Sequence, residues 1–122
     1  MSSIQIRFLI DEDTSHIIRD GLQQRQPEIE IRVIGGEGAP PIGTKDEEIL
    51  DFLEREAYVL VSSNRSTIPV HLQAYLQKGG HIPGILLLRP GFSYQQIIDT
   101  LELIWFASTP EDLRDQLLYI PL

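Results

Sequence analysis

The sequence predicts an α/β protein in which a mainly parallel sheet of four or five strands lies between two layers of helices. Short apolar runs of strand length recur along the chain and alternate with segments that have the apolar spacing of helices. Two runs, residues 58–61 and 84–88, are apolar almost throughout, which is typical of strands buried on both faces of a parallel sheet. A three-layer α/β/α architecture follows from this order.

The composition fits one globular domain. The chain has 122 residues, of which 42% are hydrophobic and 23% charged, so we expect a single domain over residues 1–122. The first residues lack the pattern of a signal peptide, and no apolar run approaches the length of about 18 residues that a membrane span needs. We therefore expect a cytoplasmic protein without membrane contact. The lack of cysteine excludes disulfides and cysteine-ligated zinc.

The first strand is predicted over residues 4–10, where alternation gives way to a continuous apolar run. It stops at an acidic triplet, residues 11–13. Thr14 or Asp13 can cap a helix that extends to about residue 24. The inward side of this helix is expected to carry Ile17, Ile18 and Leu22.

The second strand is predicted over residues 29–34, where apolar residues alternate with polar ones. The glycine- and proline-rich segment 35–43 follows, a loop longer than most strand-to-helix connections and therefore a candidate functional loop. Thr44 and Glu47 form a capping box at the start of the next helix. Its inward stripe is expected to carry Asp46, Ile49, Leu53 and Ala57.

The second half of the chain continues the alternation. Further strands are predicted over residues 58–61, 84–88 and 117–120, the last at an edge of the sheet. Helix starts are indicated by Pro69, by a Ser93–Gln96 capping box that opens a helix over residues 94–107, and by Thr109-Pro110. Strand and helix thus alternate throughout.

Acidic residues lie where a parallel sheet would bring them together. Asp11 and Asp13 follow the first strand, and Asp46 opens the helix after the second. Because such folds bind ligands at the carboxyl ends of their strands, and Mg²⁺ and Mn²⁺ prefer carboxylate oxygens, the three residues are candidate metal ligands. A structural interpretation stays open, since acidic residues are favoured in first helical turns without any ligand.

Three segments, residues 6–13, 46–50 and 59–65, resemble motifs of the PIN-like domains of short bacterial proteins, which are relatives of the toxin nucleases of toxin–antitoxin pairs. The resemblance extends over residues 4–91 in the same order and spacing. It implies a PIN-like fold with an acidic active site. Asp11 and Asp46 match two acids of that site.

The third motif departs from the family's pattern. The family usually has Thr-x-Asp-Arg-Asp-Phe, whereas Asn64 and Ser66 stand here in place of the two carboxylates. The Asn amide oxygen can still ligate a hard cation, although without charge. Residues 64–71 are similar to a branch of the family in which an Asn-Arg motif is followed by Pro and His. This similarity implies that Arg65 contacts phosphate and that His71 is a general acid or base.

More ordinary roles for these two residues stay open. Arg65 can instead pair with Asp11 or Asp46 and neutralise an acidic cluster that holds no metal. His71 can be a solvated histidine in the first turn of its helix. The change in the third motif thus either rebuilds the site or marks its loss.

The resemblance implies a Mg²⁺- or Mn²⁺-dependent ribonuclease that acts on single-stranded RNA, with a toxin-like role and an altered active site. The implied catalytic residues are Asp11, Asp46, Asn64, Arg65 and His71, and the implied metal ligands are Asp11, Asp13, Asp46 and Asn64. The alternative is a catalytically inactive PIN-like module that binds a protein partner or RNA, which the missing carboxylates favour. The net charge of −8 means that RNA binding needs a local basic patch, a bridging metal or a basic partner.

The resemblance also bears on partners. It implies an antitoxin-like protein and a homodimer, for which Leu101, Leu103, Ile104, Trp105 and Phe106 offer apolar surface unless they belong to the core. A receiver domain would share the acids after the first strand. It is excluded because Ser62-Ser63-Asn64 ends the third strand without an Asp, and no lysine follows Lys78.

Overall fold

The computed structural model describes residues 5–122 and confirms an α/β architecture with a parallel sheet. The elements in chain order are β1 (Phe8–Ile10), α1 (His16–Arg25), β2 (Ile31–Val33), α2 (Asp46–Glu56), β3 (Val59–Ser62), α3 (Ile68–Gln77), β4 (Ile85–Leu88), α4 (Tyr94–Ala107), α5 (Pro110–Leu113) and β5 (Leu117–Ile120). The strands form one sheet in the order β2-β1-β3-β4-β5, and all pairs are parallel.

The sheet divides the apolar interior into two clusters, as the three-layer prediction requires. One face packs against α1 and α4, and the other packs against α2 and α3. In β1 the side chains alternate between the two faces, with Phe8 and Ile10 in the first cluster and Leu9 in the second. All three are fully buried, which explains why this strand is a continuous apolar run.

The strand order creates a switch point between β1 and β3. The chain leaves β1 for β2 on one side and then crosses to β3 on the other side of β1. Connections on the two sides of such a point diverge, and this leaves a crevice at the carboxyl ends of the two strands. The residues that follow β1 and β3 therefore lie at the place where a ligand is expected.

The start of the chain differs from the prediction in two respects. β1 begins at Phe8 rather than at Ile4, which lies outside the described residues. The N-cap of α1 is Ser15 and not Thr14 or Asp13, and its hydroxyl accepts a hydrogen bond of 3.2 Å from the Ile17 amide. Ile18 and Leu22 are buried because they lie four residues apart on one face of the helix, whereas Ile17 lies about 100° away from Ile18 and is exposed.

The predicted Thr44–Glu47 capping box is wrong. Lys45 is the N-cap of α2, and the Thr44 hydroxyl instead donates to the Pro41 carbonyl at 2.6 Å within the preceding turn. The inward stripe also ends earlier than expected, because Ala57 adopts a left-handed conformation (φ 63°) that terminates the helix. Asp46 nevertheless opens α2, as its place in the predicted site requires.

The other helix predictions are confirmed. Ser93 and Gln96 form the capping box of α4. Within α4, Leu101 and Trp105 belong to the core, whereas Leu103 and Phe106 are exposed. None of the helices in residues 5–122 combines the length and the apolar character needed to span a bilayer. The homodimer stays a prediction of the resemblance.

Candidate active site at the carboxyl edge of the sheet

Asp11 is the most enclosed acidic residue of the site, with 5% of its surface exposed. Its Oδ1 accepts a hydrogen bond from the Glu12 amide at 2.8 Å, and its Oδ2 accepts one from the Ser62 hydroxyl at 2.6 Å. Burial raises the pKa of the Asp11 carboxyl, the two hydrogen bonds oppose this, and the negative charges of Asp13 and Asp46 add to the rise. Asp11 is thus held between β1 and β3 at the switch point.

Ser62 was not among the residues predicted from the sequence. It is the last residue of β3, has no exposed surface, and bonds both Asp11 and the Asn64 amide, the latter at 3.0 Å. A serine that ends an apolar strand is the only signal the sequence offers for it. That signal is weak, because serine is also common where strands give way to loops.

A chain of hydrogen bonds joins α2 to the loop before α3. The Thr67 hydroxyl donates to Asp46 Oδ2 at 2.8 Å, and Asn64 Nδ2 donates to the same hydroxyl oxygen at 2.6 Å. Asn64 Oδ1 accepts from the amides of Ser66 and Thr67 at 3.3 and 3.1 Å and from the Ser66 hydroxyl at 3.2 Å. Asn64 therefore braces the turn that leads into α3, a role that needs no metal.

His71 lies beside Asp46. The two residues come from different helices, α3 and α2, and His71 Nε2 is 3.7 Å from Asp46 Oδ2. This distance is an ion-pair contact if the imidazole is protonated and is too long for a hydrogen bond. Two of the residues predicted for catalysis, 25 positions apart in the sequence, are thus neighbours.

Arg65 points towards β4 instead of the carboxylates. Its Nη1 donates to the Leu88 carbonyl at 2.9 Å and lies 3.4 Å from the Ser63 carbonyl. Within residues 5–122 it forms no ion pair with Asp11 or Asp46, so the interpretation that it neutralises the acidic cluster is not supported. Its guanidinium group lies over the carboxyl end of the sheet.

The two remaining acids of the first motif differ in exposure. Asp13 is exposed and acts on Asp11 through its charge. Glu12 Oε1 accepts a hydrogen bond of 3.0 Å from the Gly43 amide, which links the site to the end of the long loop after β2. The end of the glycine- and proline-rich loop 35–43 is therefore next to the site, and its functional role stays a prediction.

The residues present are not grouped as a preformed site for Mg²⁺ or Mn²⁺. Both Asp11 oxygens accept protein hydrogen bonds, and the Asn64 oxygen accepts three. Within the part of the chain that is described, no three His, Asp or Glu side chains are grouped so that they could hold a metal ion. A hard cation binds several oxygen ligands, and a carboxylate oxygen that accepts one hydrogen bond can still be one of them, whereas the Asn64 oxygen is fully used. Metal dependence thus stays a prediction of the resemblance.

Comparison with protein-family models, with curated proteins and with solved structures gave no match. The resemblance to PIN-like proteins therefore stays a prediction that rests on the three sequence segments. The five-stranded parallel sheet between two layers of helices agrees with the fold that the resemblance implies.

Proposed function

We propose that the chain is a ribonuclease of PIN-like type with an altered active site, in which the Asp46–His71 pair does the acid–base work. The observation that carries this proposal is the 3.7 Å contact between His71 Nε2 and Asp46 Oδ2 at the carboxyl edge of the sheet. Histidine is the side chain best suited to exchange protons near neutral pH. A neighbouring carboxylate stabilises the imidazolium that forms when it takes one up.

The proposed reaction uses the 2′-hydroxyl of RNA. The hydroxyl oxygen attacks the adjacent phosphorus, and its proton passes to His71 while Asp46 holds the imidazolium. The bond between phosphorus and the 5′-oxygen breaks and leaves a 2′,3′-cyclic phosphate. The departing oxygen takes a proton from water, and the hydroxide that remains takes up the proton held by His71. No cation takes part in this sequence of steps.

The test is cleavage of an end-labelled single-stranded RNA by the purified chain in EDTA and, separately, in Mn²⁺. His71→Asn is expected to slow cleavage by about 100-fold or more, because general acid–base groups typically contribute that much. His81→Asn is the matched control, because His81 is an exposed histidine that pairs with Asp115 before β4, at the opposite edge of the sheet. Cleavage that is lost in EDTA and indifferent to His71→Asn would instead support the metal-dependent mechanism that the resemblance implies.

The second candidate is a module that binds RNA or a protein without cutting. The saturated hydrogen bonding of Asn64 favours it, since the residue at the third motif serves the turn. RNA binding without cleavage in either EDTA or Mn²⁺ would select this candidate over the enzyme. An antitoxin-like partner belongs to both candidates and stays a proposal.

A further inference from the structure

A small cavity opens on the α1 and α4 side of the switch point. It has a volume of about 250 Å³, below the range of about 300–1,000 Å³ for sites that take a whole drug-sized ligand. Its polar lining includes Asp13, Thr14, Ser63, Arg65 and Arg89. We infer that this cavity, called here the phosphate pocket, binds a phosphate group.

Thr14 has a buried hydroxyl group that no other group of the described chain pairs with. Its side chain lines the cavity, is 97% buried, and has a hydroxyl oxygen without a hydrogen-bond partner within residues 5–122. Buried polar groups are almost always paired, because an unpaired one lowers stability. The hydroxyl oxygen is enclosed in its present rotamer, and no hydrogen bond holds it there. Rotation about χ1 can turn it towards the cavity, where it donates to an acceptor such as a phosphate oxygen.

The side chains that line the pocket carry a net positive charge. Among the lining residues Arg65 and Arg89 are positive and Asp13 is negative, so the pocket carries one net positive charge on a chain whose total is −8. Guanidinium groups are the side chains best matched to phosphate oxygens. Because the chain as a whole is acidic, a ligand that carries phosphate needs a local basic patch, and these two arginines supply one.

The backbone at the amino ends of two helices also favours an anion in the pocket. The amino ends of α1 and α4 meet at the pocket, where the lining includes Ser15, the N-cap of α1, and Tyr94, the first residue of α4. The amino ends of helices present unpaired amides and a partial positive charge, which favour anions. Arg65 is already positioned there by its hydrogen bond to the Leu88 carbonyl, so less side-chain freedom is lost on binding.

The pocket and the Asp46–His71 pair lie on opposite faces of the sheet, with Asp11 between them. The amino ends of α1 and α4 and the loops after β3 and β4 line the pocket, whereas α2 and α3 supply the pair. An RNA strand laid across the carboxyl edge would place one phosphate in the pocket and the next nucleotides near His71. This link to RNA rests on the proposed function, whereas binding of phosphate itself does not.

The test uses the full chain and inorganic phosphate, followed by amide chemical shifts in two-dimensional NMR. Shifts of the Thr14, Ser15, Arg65 and Tyr94 amides are expected to saturate at millimolar phosphate. Thr14→Val and Arg89→Gln are each expected to weaken binding by about tenfold, the loss typical of a hydrogen bond to a charged group. Thr14→Val keeps the shape of the side chain, Arg89→Gln shortens an exposed one, and the spectra of both variants report directly on folding.

Arg55→Gln is the matched control, because it removes one positive charge from an exposed position of α2 outside the pocket. It is expected to leave phosphate affinity unchanged. Three results would overturn the inference: no shifts at tens of millimolar phosphate, shifts that Thr14→Val and Arg89→Gln do not weaken, or an equal loss in Arg55→Gln. The last would indicate a general charge effect.

Oligoribonucleotides with and without a 5′-phosphate separate the sources of the phosphate group. Stronger binding of the phosphorylated form, abolished by Arg89→Gln, identifies a terminal phosphate as the ligand. Equal binding of both forms, weakened in parallel by Arg89→Gln, identifies a backbone phosphate. If inorganic phosphate binds but neither oligonucleotide does, the pocket is retained and the proposed ribonuclease fails.

Discussion

The Ser62 hydroxyl donates a hydrogen bond of 2.6 Å to Asp11 Oδ2, and this bond joins the carboxyl ends of β1 and β3 across the switch point. Both side chains are buried. A buried carboxylate without such a donor is strongly disfavoured, so the bond bears on the stability of the fold as well as on the charge of the site.

Ser62→Ala is expected to lower the free energy of unfolding by about 1–3 kcal/mol at neutral pH, because Asp11 loses a buried hydrogen-bond donor. Urea denaturation followed by circular dichroism measures the change. Ser63→Ala, at the neighbouring half-buried position, is the control. Equal stability of the two variants would show that the Ser62–Asp11 bond contributes little.

Asp11→Asn is expected to change how stability depends on pH. The pKa of Asp11 is raised above its ordinary value of 3.8, chiefly by burial, so ionised Asp11 destabilises the folded state above that pKa. As the pH falls through the folded-state pKa, the carboxyl takes up a proton and this penalty disappears. Wild type is therefore expected to gain stability relative to Asp11→Asn on mild acidification. Urea titrations of both proteins at several pH values measure this change. A difference in the free energy of unfolding that stays constant with pH would contradict the raised pKa.

Thr14→Val is expected to raise the free energy of unfolding by about 1 kcal/mol in phosphate-free buffer, because it removes an unpaired buried hydroxyl and keeps the shape of the side chain. Thr100→Val is the control, since the Thr100 hydroxyl already donates to the Gln96 carbonyl at 2.9 Å. If phosphate fills the pocket, the advantage of Thr14→Val shrinks when phosphate is added. A variant less stable than wild type without phosphate would mean that the hydroxyl has a partner.

The double variant Asn64→Asp, Ser66→Asp restores the two carboxylates of the PIN-like third motif. An Asp at position 64 can still accept the hydrogen bonds that brace the turn before α3. We expect calorimetry to detect Mn²⁺ binding by the double variant at millimolar metal or below and none by wild type. Comparable heats from both proteins would indicate that wild type already has a cation site.

The parallel sheet and the order of its helices could be predicted because they depend on apolar periodicity, which is local in the sequence. β3 and β4 are continuous apolar runs, and the Ser93–Gln96 box sets the start of α4 within one turn. Where several neighbouring residues can all cap a helix, the sequence does not select one of them. Ser15 competes with Thr14 and Asp13 for the same role, and tertiary packing of Ile18 decides between them.

The site was predictable only in part. That Asp11 and Asp46 face one edge follows from topology, whereas the contact between Asp46 and His71 depends on how α2 packs on α3. Ser62 and Thr67 carry the hydrogen bonds of the acids, yet neither has a recognisable sequence pattern. The orphan hydroxyl of Thr14 appears only once the packing around it is known.

The division of the interior into two clusters has a consequence for protein engineering. The α1–α4 face and the α2–α3 face pack on opposite sides of the sheet and share only its strands. Substitutions on distant, separately packed sites usually have additive effects on stability. Core substitutions behind α1 and α4 can therefore be combined with core substitutions behind α2 and α3, and their effects on stability are expected to add, which makes this scaffold suited to stepwise redesign.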